Sequence, residues 1–301
     1  MKKHLRLFSL LLAACLLGGC VHIDLPDPEP QTVYASFWPV YALSEGICRG
    51  VPNLSLHCLT QPQDGCLRSY SLSSWDAAML SGADLLILGG RGLESFAGAF
   101  SGGALPVLTA MENMPLRAFS DEPADEEDHY SGENPWYFLS VEGARSICSV
   151  IAGGMAQLDP DFSSLYAQNL EAMLSRFDEL QAQLAALRAQ IEPEGVILMQ
   201  EGLGYFAEEM GLAEHVFIRR EAGADMSRSE FDEALQQMRQ SGYRLVLIER
   251  QAPQGLVEEI EAAGYTVCLI DILTDHSAAE GAEAYFAAML QNAQALARAL
   301  Q

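Results

Sequence analysis

Apolar positions recur along this chain in two rhythms, and the alternation between them predicts its architecture. Residues 32–37 (TVYASF) and 54–59 read as strands, and residues 84–88 (DLLIL) as a strand buried on both faces. Residues 39–50 and 73–81 between them carry helical patterns. The second half repeats the plan. Strands are expected at 195–199 (GVILM), 244–249 (RLVLIE) and 265–270 (YTVCLI), with helices at 227–241, 253–263 and 278–300. In the first of these helices Glu230 and Asp232 stand in the opening turn, where the helix dipole is positive. Strands alternating with helices predict an α/β fold of parallel sheets flanked by helices. Residues 120–133 (SDEPADEEDHYSGE) have no apolar period and read as an exposed, solvated acidic loop.

Between the halves the pattern changes. Leu170, Met173, Leu174, Phe177, Leu180, Leu184, Leu187 and Ile191 share one helical face, without glycine or proline from Asp161 through Ile191. A helix of roughly 30 residues spans about 45 Å, enough to bridge two lobes. The expected molecule therefore has two α/β lobes joined by one long rigid helix, with ligand held in the cleft between them. The lobes are placed at 32–157 and 193–301, with the linking helix at 158–192.

The N-terminus sets the compartment. Lys2, Lys3 and Arg6 precede an apolar run at 7–17 that is too short to span a bilayer, and Gly18-Gly19-Cys20 follows. This layout predicts a signal peptide over 1–19. The string Leu17-Gly18-Gly19-Cys20 resembles a bacterial lipobox, which implies that Cys20 becomes the acylated first residue. Residues 20–31, ending in the proline-rich DLPDPEPQ, then read as a tether holding the protein to the outer face of the cytoplasmic membrane. No later segment is long and apolar enough for a transmembrane helix.

Composition narrows the partners. A formal charge of −24 repels phosphate backbones and excludes nucleic acid. Both lysines lie in the leader, so every basic residue of the mature chain, apart from histidine, is an arginine. Beyond Cys15 and Cys20 the cysteines are Cys48, Cys58, Cys66, Cys148 and Cys268, with a Cys48–Cys58 bridge as the plausible pairing. Cys148 falls in a predicted helix as a small buried apolar residue. The sequence contains no Gly-x-Ser-x-Gly elbow and no HExxH. Gly89-Gly90-Arg91-Gly92 lacks both the lysine of a P-loop and the spacing of a dinucleotide fingerprint. An enzyme is not expected.

Several short strings, in order, resemble the zinc- and manganese-binding receptors of ABC importers, the cluster A-I solute-binding proteins. Ser36-Phe37-Trp38-Pro39-Val40-Tyr41 resembles their first strand and its exit. Gly82-Ala83-Asp84-Leu85 with Gly90-Arg91-Gly92-Leu93-Glu94 resembles their "ADL…NGLGLE" segment. Leu158-Asp159-Pro160 with Tyr166 and Asn169 is similar to the start of their linking helix. Gly204-Tyr205-Phe206-Ala207 with Gly211-Leu212 is similar to "GYFA…YGL", and Ile248-Glu249-Arg250-Gln251 to "TEPQ". The resemblance covers nearly the whole mature chain. It implies a monomeric, periplasmic-binding-like receptor with a divalent metal, zinc or manganese, as transported ligand, and a permease with its ATPase as partners.

The family's usual metal ligands are three histidines and a carboxylate. Residue by residue, the resemblance puts Arg68 (in Cys66-Leu67-Arg68-Ser69-Tyr70) at the first histidine, Trp136 at the second and Gln200 at the third. Asp271 keeps the carboxylate. Arginine has no lone pair to give, and at 4 Å it would repel a divalent ion by about 8 kcal/mol at an effective dielectric near 20. Asp271, Glu201 and Gln200 remain as metal donors.

Three arrangements fit these residues. Arg68 pairs with Asp271 or Glu201 and the cleft binds no metal. Alternatively Arg68, Trp136 and Gln200 receive a small organic carboxylate. In the third, metal binds through Cys66, Glu201 and Asp271, or through the acidic loop with His129. His57 and His215 fall at or near strands as structural residues, whereas His276 follows Asp271 closely enough to reach the cleft rim. A surface adhesin or scaffold of the same fold is the remaining alternative.

Overall fold

The computed structural model describes residues 30–61, 67, 70–118, 133–192, 195–200, 202–212, 215–220 and 222–300. The leader, Cys20, most of the tether, Cys66, Arg68, Glu201 and the acidic loop with His129 lie outside the described residues.

Two four-stranded parallel sheets form the framework. The first contains β1 (Gln31–Ala35), β2 (Leu54–Cys58), β3 (Leu85–Leu88) and β4 (Val107–Thr109), in the order β2-β1-β3-β4. The second contains β5 (Val196–Leu198), β6 (His215–Phe217), β7 (Leu245–Glu249) and β8 (Thr266–Ile270), in the order β6-β5-β7-β8. The two sheets thus repeat one topology. The central strands β3, β5 and β7 are buried throughout, as parallel strands covered on both faces must be.

Local chemistry places the helices. Pro39 stands in the first turn of α1 (Trp38–Cys48), where a missing N–H costs nothing. Capping boxes open α2 (Ser74–Leu80) through Ser73 and Asp76, and α6 (Arg228–Ser241) through Ser227 and Glu230. Gly242, at φ 74°, ends α6 in the left-handed conformation that glycine adopts without steric cost. The remaining helices are α3 (Val141–Leu158), α4 (Ser163–Arg188), α5 (Leu203–Glu209), α7 (Gln254–Ala262) and α8 (Ala282–Ala299).

The linking helix differs in detail from the pattern at 158–191. α3 ends at Leu158, a 3-10 turn occupies Pro160–Phe162, and the long helix α4 starts only at Ser163. Pro160 has no N–H to continue α3 and so marks the break. α4 is about 39 Å long. It is packed along its length, burying Tyr166, Met173, Phe177, Leu180 and Leu184 against α1, α3 and α8. The Phe177 ring lies 4.9 Å from Phe286 and 5.9 Å from Tyr285 of α8.

Strand periodicity divides the core. Val33 and Ile87 of the first sheet join Val196, Leu198, Leu245 and Leu247 of the second in one apolar cluster that includes α4 and α8. Their neighbours Tyr34, Leu86 and Leu88 face a separate cluster on one side, and Ile197, Val246 and Ile248 another on the other. Cys48 is a free buried thiol, its pKa pushed up to about 12 by burial and then by Glu45. The expected Cys48–Cys58 bridge therefore does not form, and the Cys58 thiol instead donates to the Thr60 carbonyl at 3.2 Å.

Candidate functional site

In open parallel sheets, ligands bind beyond the carboxyl ends of the strands, where the strand order reverses. In the first sheet that point lies between β1 and β3. Ser36 follows β1, and its hydroxyl donates to Glu94 Oε1 at 2.6 Å. The N–H groups of Gly89 and Gly90, just past β3, donate to the same carboxylate at 2.6 and 2.8 Å. Glu94 is 4% exposed, and burial raises its pKa although these three donors oppose the rise. The loop turns through left-handed conformations at Gly90 (φ 87°), Arg91 (57°) and Gly92 (83°). A Cβ at Gly90 would stand 2.2 Å from the Thr109 methyl, so that position requires glycine.

In the second lobe Asp271 directly follows β8. Its backbone is held from both sides by Asn292 of α8: the Asp271 N–H donates to Asn292 Oδ1 and Asn292 Nδ2 donates to the Asp271 carbonyl, both at 2.8 Å. The side chain is equally engaged. Oδ1 accepts from the Leu273 N–H at 2.8 Å, and Oδ2 lies 2.9 Å from His276 Nε2 and 2.8 Å from Arg250 Nη2. The other ring nitrogen of His276 lies 3.2 Å from Glu280 Oε1. Trp38 of α1 stacks on the imidazole with centroids 4.2 Å apart. Its indole N–H donates to the Glu280 carbonyl at 2.8 Å, and Tyr41 donates to the Ala278 carbonyl at 2.9 Å. The segment after β8 is thereby fastened to the first lobe.

The charges in this cluster support one another. Burial raises the Asp271 pKa, but the His276 hydrogen bond, the Leu273 N–H and the two nearby cations more than reverse it, and the net shift is downward. Burial lowers the His276 pKa, but Asp271 and then Glu280 reverse it, and the net shift is upward. Glu280 is held low chiefly by the Ser277 N–H. Asp271 is thus a carboxylate already matched by an imidazole and a guanidinium.

The positions expected to line the cleft fall into two groups. Gln200 is 1% exposed and its Oε1 accepts from the Gly202 N–H at 2.7 Å, closing a turn just past β5. Trp136 lies directly on that turn, because a Cβ at Gly202 would stand 2.6 Å from the indole. Trp136 and Gly202 therefore meet, one from each lobe. Around them the Tyr205 hydroxyl donates to the Asn134 carbonyl at 2.8 Å and accepts from the Arg117 N–H at 2.9 Å. Arg117 also pairs with Glu208 across the lobes. Cys66, Arg68 and Glu201 lie outside the described residues.

Arg250 and Trp38, which complete the Asp271 cluster, stand in the sequence within family-like strings, and Glu280 carries no such mark. The available signal was the Trp38 string at the exit of β1 and the spacing from Asp271 to His276 and Glu280. Among the described residues no group of three or more His, Cys, Asp or Glu is arranged to hold a metal ion. Among them, too, no helix is long and apolar enough to cross a membrane.

The family described as "ZnuA: Zinc-uptake complex component A periplasmic" matches residues 33–299. No curated protein matches the chain. Among solved structures, the solute-binding protein FpvC of Pseudomonas aeruginosa in complex with Ni2+ superimposes with a TM-score of 0.77 at 21% identity, covering 91% of this chain and 97% of that one. The crystal structure of ZnuA gives 0.72 at 20% identity, over 91% and 100%. The laminin-binding protein Lmb of Streptococcus agalactiae, described as bifunctional with adhesin and metal transporting activity, gives 0.73 at 18%, over 90% and 100%. At these identities the likeness to the solved structures speaks for the fold.

Proposed function

The chain belongs to the family of the periplasmic zinc-uptake complex component A, and from that premise we propose that it is the extracytoplasmic substrate-binding lipoprotein of an ABC importer. The family is one of binding proteins rather than enzymes. In this reading Cys20 carries the lipid anchor on the outer face of the cytoplasmic membrane, and a permease with its ATPase receives the cargo. The observation that carries it is the family match over 33–299 together with two parallel sheets of identical strand order, whose carboxyl ends support Glu94 and Asp271.

Zinc or manganese is the cargo that the family implies. Asp271 offers such an ion one carboxylate, and His276 adds an imidazole 2.9 Å away. Those two donors satisfy each other, and Arg250 adds a positive charge at 2.8 Å. Metal capture at this position therefore requires His276 and Arg250 to leave Asp271, with Gln200 and Glu201 to complete the set. A second reading follows from the same observation: with Asp271 neutralised from within, the receptor binds a small organic anion or no ligand, or acts at the surface as a scaffold or adhesin.

Isothermal titration of metal-stripped mature protein with zinc and manganese separates the readings. Metal delivery predicts one-to-one heat that Asp271→Ala and His276→Ala both abolish. An absence of heat and of thermal shift with either metal would reject metal delivery and leave the neutralised cleft.

A further inference from the structure

We propose that the exposed face of α2, centred on Trp75, rests on the headgroup interface of the membrane that holds the protein's own tether. The inference rests on the reading that Cys20 is the lipid-anchored residue. Trp75 is 72% exposed, whereas Trp38 and Trp136 are buried. Around it Ser74, Ala77, Ala78 and Ser81 are also exposed. Residues 70–83 contain a single charged side chain, Asp76, and it is turned inward. Its carboxylate accepts from the Ser73 N–H and hydroxyl at 2.7 Å each and from the Tyr70 hydroxyl at 2.9 Å. The result is a helix whose own exposed side chains are uncharged and include an indole, on a chain of formal charge −24. Anionic headgroups repel acidic surfaces, so a neutral face is the one that can approach a bilayer. Tryptophan is also the side chain that settles at the headgroup level.

Topology puts the C-terminal end of α2 beside the point where the tether enters the fold. α2 leads into β3, and β3 starts next to the start of β1 because the two strands are parallel. The Asp84 N–H donates to the Thr32 carbonyl at 2.8 Å, and the Thr32 N–H donates to Asp84 Oδ2 at 2.7 Å. Thr32 therefore joins the base of α2 to the first residues after the tether. The chain from Cys20 to Gln31 reaches on the order of 40 Å at most, and α2 rises about 9 Å from Ser74 to Leu80. Trp75 is thus within reach of the surface in which the other end of the tether would sit. A single indole binds an interface weakly, but a short tether raises its effective concentration to about the millimolar range. The contact would orient the first lobe on the membrane.

The experiment exploits the composition of the mature chain. Lys2 and Lys3 both precede Cys20, so the α-amino group of Cys20 is its single primary amine, and an amine-reactive phospholipid couples there. Coupled protein is placed on vesicles whose lipids carry bromine near the headgroup, and tryptophan emission is followed. The expected result is quenching by bromolipid and loss of acrylamide access, both absent in Trp75→Ala. Ala78→Glu should also abolish them at an unchanged melting temperature. Trp75 left open to acrylamide and untouched by bromolipid would overturn the proposal. So would protection that arises only when the permease is co-reconstituted, which assigns the face to a protein. The mass of the N-terminal peptide of membrane-derived protein reports separately on acylation of Cys20. A missing acyl group there overturns the anchor, and with it this face as a membrane contact in the cell. The quenching outcome still tells whether the face itself meets lipid.

Discussion

Each lobe buries a carboxylate at the carboxyl end of its third strand, and the two are satisfied by opposite means. Glu94 in the first lobe is met by neutral donors, the Ser36 hydroxyl and the N–H groups of Gly89 and Gly90. Glu249, the last residue of β7, is met by the buried guanidinium of Arg220 and by the Gly223 N–H at 2.8 Å. Neutral donors offset only part of the cost of burying a charge, and the Glu94 pKa rises as a result. In the second lobe the countercharge comes from within, and it fastens Arg220 and Gly223 to the end of β7. The same contrast separates Glu94 from Asp271, whose carboxylate has both His276 and Arg250 and a lowered pKa. The lobe whose carboxylates carry their own cations is also the one that holds Asp271. Identical strand order therefore does not imply equivalent electrostatics at the carboxyl ends of the two sheets.

Breaking the Arg220–Glu249 pair should have the largest effect. Arg220→Ala leaves a fully buried carboxylate uncompensated and should cost about 3–5 kcal/mol in urea unfolding. A double variant, Arg220→Met with Glu249→Leu, should recover much of that loss, and failure to recover it would show that the loop needs the charges themselves. Trp136→Ala removes a buried indole from the contact with Gly202 and should cost about 3 kcal/mol or more. Gly202→Val keeps the indole and adds atoms where none fit, so it should spread the lobes, read as a larger radius of gyration in solution scattering.

The pH dependence sharpens the comparison further. A raised Glu94 pKa means that the folded state retains its proton longer than the unfolded one. Stability should therefore fall as pH rises from the ordinary glutamate value of 4.5 through the folded pKa, and Glu94→Gln should remove that fall. Asp271 acts in the opposite sense. Its lowered pKa contributes stability above the unfolded value of 3.8, which is lost as pH drops through the folded pKa. His276 contributes below its unfolded value of 6.5, and that contribution is lost as pH climbs through the raised folded pKa. Denaturation midpoints across pH should thus show an alkaline loss that His276→Gln abolishes. The smallest effect is expected for Arg250→Ala: its side chain is 48% exposed, and the loss should stay below about 1 kcal/mol.

Much of the framework was legible because it is written in periodicity. The long strands emerge from spacing within one or two residues of where they lie, and the apolar face of α4 emerges from its helical period although the helix starts later and ends earlier than the pattern. Of the three-residue strands, β5 stands out as the buried apolar run GVILM, whereas β4 and β6 are only partly buried and too short to show a period. α3 was seen only in part, since Gly143, Gly153 and Gly154 interrupt its pattern. Two of these glycines are demanded by neighbours distant from the helix itself or just before it: a Cβ at Gly154 would stand 2.4 Å from Leu108, and one at Gly143 would stand 1.8 Å from the Tyr137 carbonyl oxygen. The candidate site was legible by position and not by partnership. Asp271, Gln200 and Trp136 were named from their strings, but the sequence does not tell that Asp271 is engaged by Arg250, or that Trp136 lies on Gly202.

Residue order alone dictates the alternation of strands and helices, the caps and the acidic balance. These depend on the residue and its near neighbours, through side-chain period, backbone preference and charge. Only packing sets which groups far apart in sequence meet: Trp38 on His276, Trp136 on Gly202, and α8 returning to α1 and α4. Such contacts depend on how two repeated sheets pack around a shared helical layer, and no local pattern encodes the distance between residues that only packing brings together.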